Sequence, residues 1–400
     1  MEPCDGIFVW QIPRFDGWPR QKTYRMDAPI AKCEKRCLQW SCLPVGLFRG
    51  CQIYTTFVAS VLNFHAQLLE VPDKLFELES RALRRFNVGP GNWFKHCDLF
   101  NLSTTFSFPI SFPSIRSTSL AAKLRVVEFE APQVHQRAVR LLDEWLEAQS
   151  KPFPLDWFMS SHVCVLDRAV KEGKDIGVTN EIVKAALIAK AMAKAVDEQE
   201  YVKQHFQRQA YEQILLRGTD RQAAHDRFRC KMKRWQTLLV PRIQAERARG
   251  MMIRLGQLVR PRVFAAVWRT LWNGWCTRRR FQHEGSCMFG CSNTARDCVE
   301  HYAYCPIYQR FRGTTLFLPK IQSLDAFFLL RHNEWNDDRL ILEAISVFAV
   351  YTVFNIARFA SDRAGWQATV FVEAMERSAY HAVQNHKRSA AAFTKARTTH

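Results

Sequence analysis

Apolar residues recur at helical spacing along most of this chain, and no run alternates with the period of two that a half-buried strand requires. A basic stretch around residues 31–40 reads as a helix and breaks at Pro44 and Gly46. Over residues 53–69 apolar side chains fall on every side, as in a helix packed on more than one neighbour, and Pro72 ends it. Asp73 then caps an amphipathic helix. Leu75, Phe76, Leu78, Ala82, Leu83 and Phe86 form its apolar face and Glu77, Glu79, Arg81, Arg84 and Arg85 its polar one. Gly89-Pro90-Gly91 closes that unit.

Residues 99–119 are rich in Ser, Thr, Pro and Phe, with Phe106, Phe108 and Phe112 spaced around Pro109 and Pro113, which predicts a connector on the surface of a domain. Helices follow over 119–129 and 133–148, then a break at Lys151-Pro152-Phe153-Pro154. Thr179 or Asn180 can cap a long helix toward Gln204, and basic helices continue to about Thr270, interrupted near Arg217-Gly218 and at Pro241. Residues 340–357 are the one stretch that could pass for a membrane span. They fall short of the length needed and contain Glu343 and Asn355, so a buried helix is expected and no membrane partner. Beyond them the pattern predicts another helix and a frayed, basic, Ala-rich tail. The fold class is mostly α.

Composition sharpens this picture through charge. The 400 residues are 48% hydrophobic and carry a net charge of +19, which implies an anionic partner, nucleic acid or an acidic membrane surface; RNA or DNA is the partner expected, and no small-molecule substrate. Residues 203–282 hold +15 of that total. Two clusters stand out. In the first, Arg227, Arg229, Lys231, Lys233 and Arg234 interleave with Phe228 and Trp235, a mixture suited to phosphates and stacked bases, although an ordinary amphipathic helix with its rings in the core gives the same pattern. The second is Arg278-Arg279-Arg280, whose guanidinium forks match phosphate oxygens.

Met1-Glu2-Pro3-Cys4-Asp5 is acidic and no apolar segment of adequate length follows, so a nuclear or cytoplasmic protein is expected rather than a secreted one. In that setting the 13 cysteines stay reduced and available to metal. Cys33, Cys37, Cys42 and Cys51 have widening spacing and no histidine among them, which argues against a zinc site there. Cys287, Cys291, His301 and Cys305 differ. Their Cys-x3-Cys-x9-His-x3-Cys spacing gives two ligand pairs joined by a short loop, and their donors suit one tetrahedral zinc. Gly290 permits the tight turn before the second cysteine, and Cys298 is a rival ligand three residues before His301.

Trp272-Asn273-Gly274-Trp275-Cys276-Thr277-Arg278-Arg279-Arg280-Phe281-Gln282, followed by Val299-Glu300-His301-Tyr302 and Cys305-Pro306, resembles the C-terminal zinc knuckle of non-LTR (LINE-type) retrotransposon reverse transcriptases. Residues 54–62, Phe64-His65-Ala66-Gln67, Val71-Pro72 and Arg85-Phe86-Asn87-Val88-Gly89 are similar to the thumb that follows the polymerase palm in that family. The resemblance covers residues 47–306. It implies a thumb-like region over 1–98, a connector and basic linker over 99–270, a CCHC knuckle over 271–320, and C-terminal helices with a basic tail over 321–400. It also implies a role in positioning template RNA or target DNA. The chain departs from the family where chemistry is concerned. The palm's aromatic-Ala-Asp-Asp turn is absent, and Asp337-Asp338 reads as a helix start. Arg331-His332-Asn333 matches the first element of a restriction-like nuclease without the Pro-Asp that should follow. No catalysis is expected from this chain alone. The alternative is a stand-alone zinc adaptor whose apolar C-terminal helix recruits a protein.

Overall fold

The computed structural model describes residues 26–43, 45–68, 72–129, 203–217, 219–360 and 365–398. The helices expected over 133–148 and from Thr179 toward Gln204 lie outside them, apart from the last residues of the second. Among the described residues the fold is helical, with one isolated antiparallel bridge between Ser286 and Arg296.

The first unit contains α1 (Asp27–Ser41), α2 (Gly46–Ile53), a π-helical turn (Tyr54–Ala59), α3 (Ser60–Leu68) and α4 (Asp73–Phe86). The apolar stripe of α4 faces inward as its spacing requires, with Leu75, Leu78, Ala82, Leu83 and Phe86 buried. Glu79, expected on the polar face, is buried instead. Its Oε1 accepts from Tyr54 Oη at 3.3 Å and from Ile115 N at 2.8 Å, so one carboxylate ties α4 to the π-helical turn and to the helix that begins at Ile115.

The stretch 99–119 is not a surface connector. It holds α5 (His96–Phe100) and α6 (Leu102–Phe106) and leads into α7 (Ile115–Phe129), with Phe106, Phe108 and Phe112 all in the core. Its serines satisfy backbone groups that a buried loop would otherwise strand, as where Ser111 Oγ accepts from Ser103 N at 2.7 Å. That is why the segment can be polar in composition and internal in position.

The basic stretch forms α8 (Lys203–Arg217), α9 (Thr219–Lys233), α10 (Pro241–Leu258) and α11 (Pro261–Leu271). Pro241 and Pro261 each occupy a first helical position, where the missing N–H costs nothing. Gly256 of α10 lies against Ser107, where a Cβ would approach the Ser107 carbonyl oxygen to 2.8 Å. Beyond α11 come a 3-10 turn (Arg279–Phe281), α12 (Val299–Tyr304), α13 (Pro306–Thr315), α14 (Leu324–Phe327), α15 (Asp337–Phe359), α16 (Ala368–Val383) and α17 (Lys387–Thr398). The tail expected to fray is therefore largely helical. Ala392 and Phe393 of α17 are buried, and Lys395 pairs with Asp338 at 2.7 Å.

Helix α15 contains the apolar stretch of residues 340–357. Its 18-residue apolar window is 72% buried, so this helix runs through the core, packed against α11, α16 and α17. Asn336 caps it, accepting from Arg339 N at 2.8 Å, and Asp337 and Asp338 occupy its first turn, where negative charge meets the positive end of the helix dipole.

One ion pair lies inside this core. Arg312 of α13 donates to both carboxylate oxygens of Glu343 on α15 at 2.6 and 3.1 Å, to Ser346 Oγ at 2.9 Å and to the Pro319 carbonyl at 3.0 Å. The two side chains are 1% and 2% exposed. Burial opposes the arginine's charge, yet Tyr308 and Glu343 together hold its pKa above the usual value. Glu343 Oε1 also accepts from Arg339 Nε at 2.9 Å, so losing Glu343 strands Arg312 in the core, whereas losing Arg312 leaves the carboxylate with one half-buried partner. Glu343→Leu should therefore lower unfolding stability by about 3–5 kcal/mol and Arg312→Met by less, because Arg339 still faces the carboxylate, whereas the two substitutions combined should recover most of the Glu343→Leu loss, all read from urea midpoints.

Candidate metal centre and adjoining cationic surface

After α11 the chain enters a short loop fixed by backbone pairing. Cys287 N donates to Ala295 O at 2.7 Å, and Gly290 N returns to Cys287 O at 3.0 Å, closing a turn in which Gly290 has φ +68°. A residue with a Cβ rarely adopts that conformation, so glycine before Cys291 allows the turn. Asp297 then joins the loop's two ends. Its Oδ2 accepts from Arg278 N at 2.8 Å and its Oδ1 from Tyr302 Oη at 2.6 Å, while Tyr302 Oη accepts from Met288 N at 3.1 Å. Tyr302 is buried among Trp275, Phe289 and Phe354. The spacing of cysteines and histidine did not single out Asp297 or Tyr302 as loop supports; the cue available was their position beside Cys298 and His301.

This scaffold brings Cys287, Cys291, His301 and Cys305 together, with all four ligand atoms within 4.8 Å of one another. Cys287 Sγ and Cys305 Sγ are 4.0 Å apart, and Cys291 Sγ lies 3.2 Å from His301 Nε2. A tetrahedral ion bound at ordinary zinc distances sets edges of roughly 3.8 Å between sulfurs and roughly 3.5 Å from sulfur to nitrogen. The cluster can thus hold a metal ion with small adjustments. His301 and Cys305 come from the one-turn helix α12 and its C-cap, four residues apart and so on one side of the turn. Cys298, the rival, is the N-cap of α12 and stands outside the four-residue group. That group is the one cluster of at least three metal-ligating side chains found among the described residues, all of whose cysteines are free.

The protonation pattern suits a cation. A hydrogen bond from Cys305 holds the Cys287 thiol down at about 4, against burial, while the same bond and burial push Cys305 up. Burial, followed by the Cys287 charge, raises Cys291 to about 11. Three thiolates cannot coexist here without positive charge between them, which a bound ion supplies.

The proposed nucleic-acid contacts divide. Phe228 and Trp235 are in the core and cannot meet a base: Phe228 stacks on Trp272 at 4.9 Å, and the Trp235 indole N–H donates to Leu271 O at 3.0 Å. Arg227 donates to the buried carboxylate of Asp98 at 2.8 Å and to Asn92 O at 3.2 Å. Lys231 reaches Trp93 O at 2.9 Å and Trp272 O at 3.4 Å, and burial followed by the Arg227 and Arg234 charges lowers its pKa to about 8. Arg227, Lys231 and Trp235 thus hold the fold together. The alternation of rings and cations in α9 comes from an amphipathic helix.

Arg229, Lys233, Arg234, Arg278 and Arg279 are exposed and Arg280 half-buried. Arg229 pairs with Asp226 at 3.3 Å, Arg279 with Glu300 at 2.6 Å, and Arg280 donates to Gly91 O at 3.0 Å. Arg234 is lowered by burial and next by the charges of Arg280 and Arg279. Two basic clusters far apart in sequence therefore meet on one surface beside the metal loop. No protein-family model matches this chain, and no curated protein or solved structure matches it.

Three outcomes follow from this geometry. Protein refolded with zinc and desalted should contain one ion per chain by mass spectrometry; Cys287→Ser or Cys305→Ser should abolish this and Cys298→Ser should not. Retention should fall as the pH is lowered, because protons compete for the thiolates. Arg227→Met, which strands the buried Asp98 carboxylate, should cost about 3 kcal/mol of stability in denaturant titrations.

Proposed function

We propose that this chain is a zinc-organised nucleic-acid-binding module, corresponding to the thumb, linker and knuckle of a non-LTR retrotransposon reverse transcriptase, and that it positions template RNA or target DNA. The observation that supports this most is the meeting of Arg234 with Arg279 and Arg280 beside the Cys287, Cys291, His301 and Cys305 loop. Three sulfurs and one imidazole make zinc the fitting ion. Zinc would fix the loop that carries Arg278, Arg279 and Arg280, so that their guanidinium forks meet phosphates at set positions while the adjoining Arg234 extends the same anion-binding face.

Asp337 and Asp338 are engaged by Arg254 and Lys395, at 2.6 and 2.7 Å. His332 of the Arg331-His332-Asn333 element is buried, and Arg331 pairs with Glu334. These contacts support a binding role rather than a catalytic one. The alternative of an adaptor that recruits a protein through its apolar C-terminal helix is weakened because α15 places most of its apolar surface inside the fold.

Binding should be measured by fluorescence anisotropy on short RNA and DNA over a range of salt. Affinity should fall steeply with salt, and replacing Arg234, Arg279 and Arg280 by alanine should weaken binding across sequences and reduce the salt slope by about 1 for each contact removed. Stripping zinc with a chelator should weaken binding as well; affinity and salt slope indifferent to both treatments would sink the proposal.

A further inference from the structure

Residues 234–240 connect α9 to α10 and turn apolar side chains outward. Leu238 is 89% exposed, Val240 63%, and Ile243 in the first turn of α10 42%. The backbone beneath them is firmly held. Leu238 N donates to the carboxylate of buried Asp325 at 3.1 Å, Thr237 N to Trp235 O at 2.9 Å, and Gln244 N to Val240 O at 2.9 Å. On the inner side Trp235 packs on Phe328 with ring centres 4.5 Å apart, and Leu239 packs partly against the core. A buried carboxylate anchors the main chain directly under an exposed leucine, so the side chain projects from a rigid base.

The projection is flanked by cations. Lys233 and Arg234 precede it and Arg242 follows, all exposed. An apolar tip between positive flanks complements a partner that is anionic outside and apolar and flat within, as a nucleic acid is, with phosphates on its edge and base faces inside. Arg234, four residues before Leu238, feels the charges of Arg280 and Arg279, which joins the tip to that cationic surface.

We infer that Leu238, backed by Val240, is a wedge that inserts between adjacent bases of a nucleic acid held on the Arg234, Arg279 and Arg280 surface. The inference rests on the nucleic-acid reading above. Phosphate contacts supply the affinity, and the leucine opens a base step at a position set by the Asp325 anchor.

The test uses the full zinc-loaded chain and a DNA duplex with a single-stranded overhang, in which 2-aminopurine is moved stepwise through the junction. Fluorescence should rise several-fold at one or two adjacent positions where stacking is lost. Leu238→Ala should abolish that rise while leaving most of the affinity and the thermal midpoint in place, and Leu238→Phe should restore it. Salt-sensitive binding with no bright position, or an equal signal from Leu238→Ala, would overturn the wedge and leave the nucleic-acid reading standing. Absence of binding would remove both. Flotation with phosphatidylserine vesicles that depends on Leu238, without any 2-aminopurine response, would overturn the wedge in favour of a lipid surface.

Discussion

A seam of aromatic rings ties the metal loop, the basic helices and the first helical unit into one frame. Trp93 meets Trp268 at 5.2 Å, Trp268 meets Trp272 at 4.9 Å, and Trp272 is packed by Phe228 and Phe106 at 4.9 and 5.2 Å. Arg269 closes the seam from outside, its guanidinium 4.8 Å from the Trp93 ring centre and donating to Val88 O and Tyr351 Oη. Large rings bury much apolar area while adopting few rotamers, so a seam of them fixes orientation as well as adding stability. These shared rings, with the hydrogen bonds of Trp235 to Leu271 O and Lys231 to Trp272 O, keep Arg234 and the arginines after α11 in one spatial relation.

The metal loop depends on this frame but has supports of its own. Asp297 and Tyr302 join its two ends without using any of the four ligand atoms, and Phe289 docks it on Phe371 of α16 at 5.0 Å. Cys305 lies fully inside the common core, whereas Cys291 is only partly covered. An ion held there would have one deep and one shallow attachment. A metal in that position clamps the loop to the body, and the arginines before it inherit the loop's rigidity.

How much of this was legible in the sequence depended on the range of each interaction. Local signals were readable: the stripe of α4, the prolines opening α10 and α11, Gly290 before Cys291, and the ligand spacing itself, which the fold brings within 4.8 Å. Interactions across long separations were not. Arg227 and Asp98 are 129 residues apart, and nothing near either residue marks the pair. The same holds for Phe106, Phe108 and Phe112, whose prolines and serines imitate a surface loop while the rings lie in the core. Trp235 beside Lys233 and Arg234 has the composition of a base-stacking site and of a buried ring alike, because composition reports which residues are near one another and not which way the backbone turns them.

Charge explains why the exposed arginines are distinct from the others. Inside the fold each cation has a designed acceptor, as Arg312 has Glu343 and Lys231 has two carbonyl oxygens. Arg234, by contrast, faces the like charges of Arg280 and Arg279, with Glu300 opposing them. Repulsion of that kind lowers the stability of the folded chain, and a surface shaped by stability alone would interleave acids, as α10 does with Arg242 and Glu246. The charge of Arg234 therefore sits where an anionic partner would relieve it, beside a loop that Asp297 and Tyr302 brace and near a leucine whose main chain Asp325 anchors.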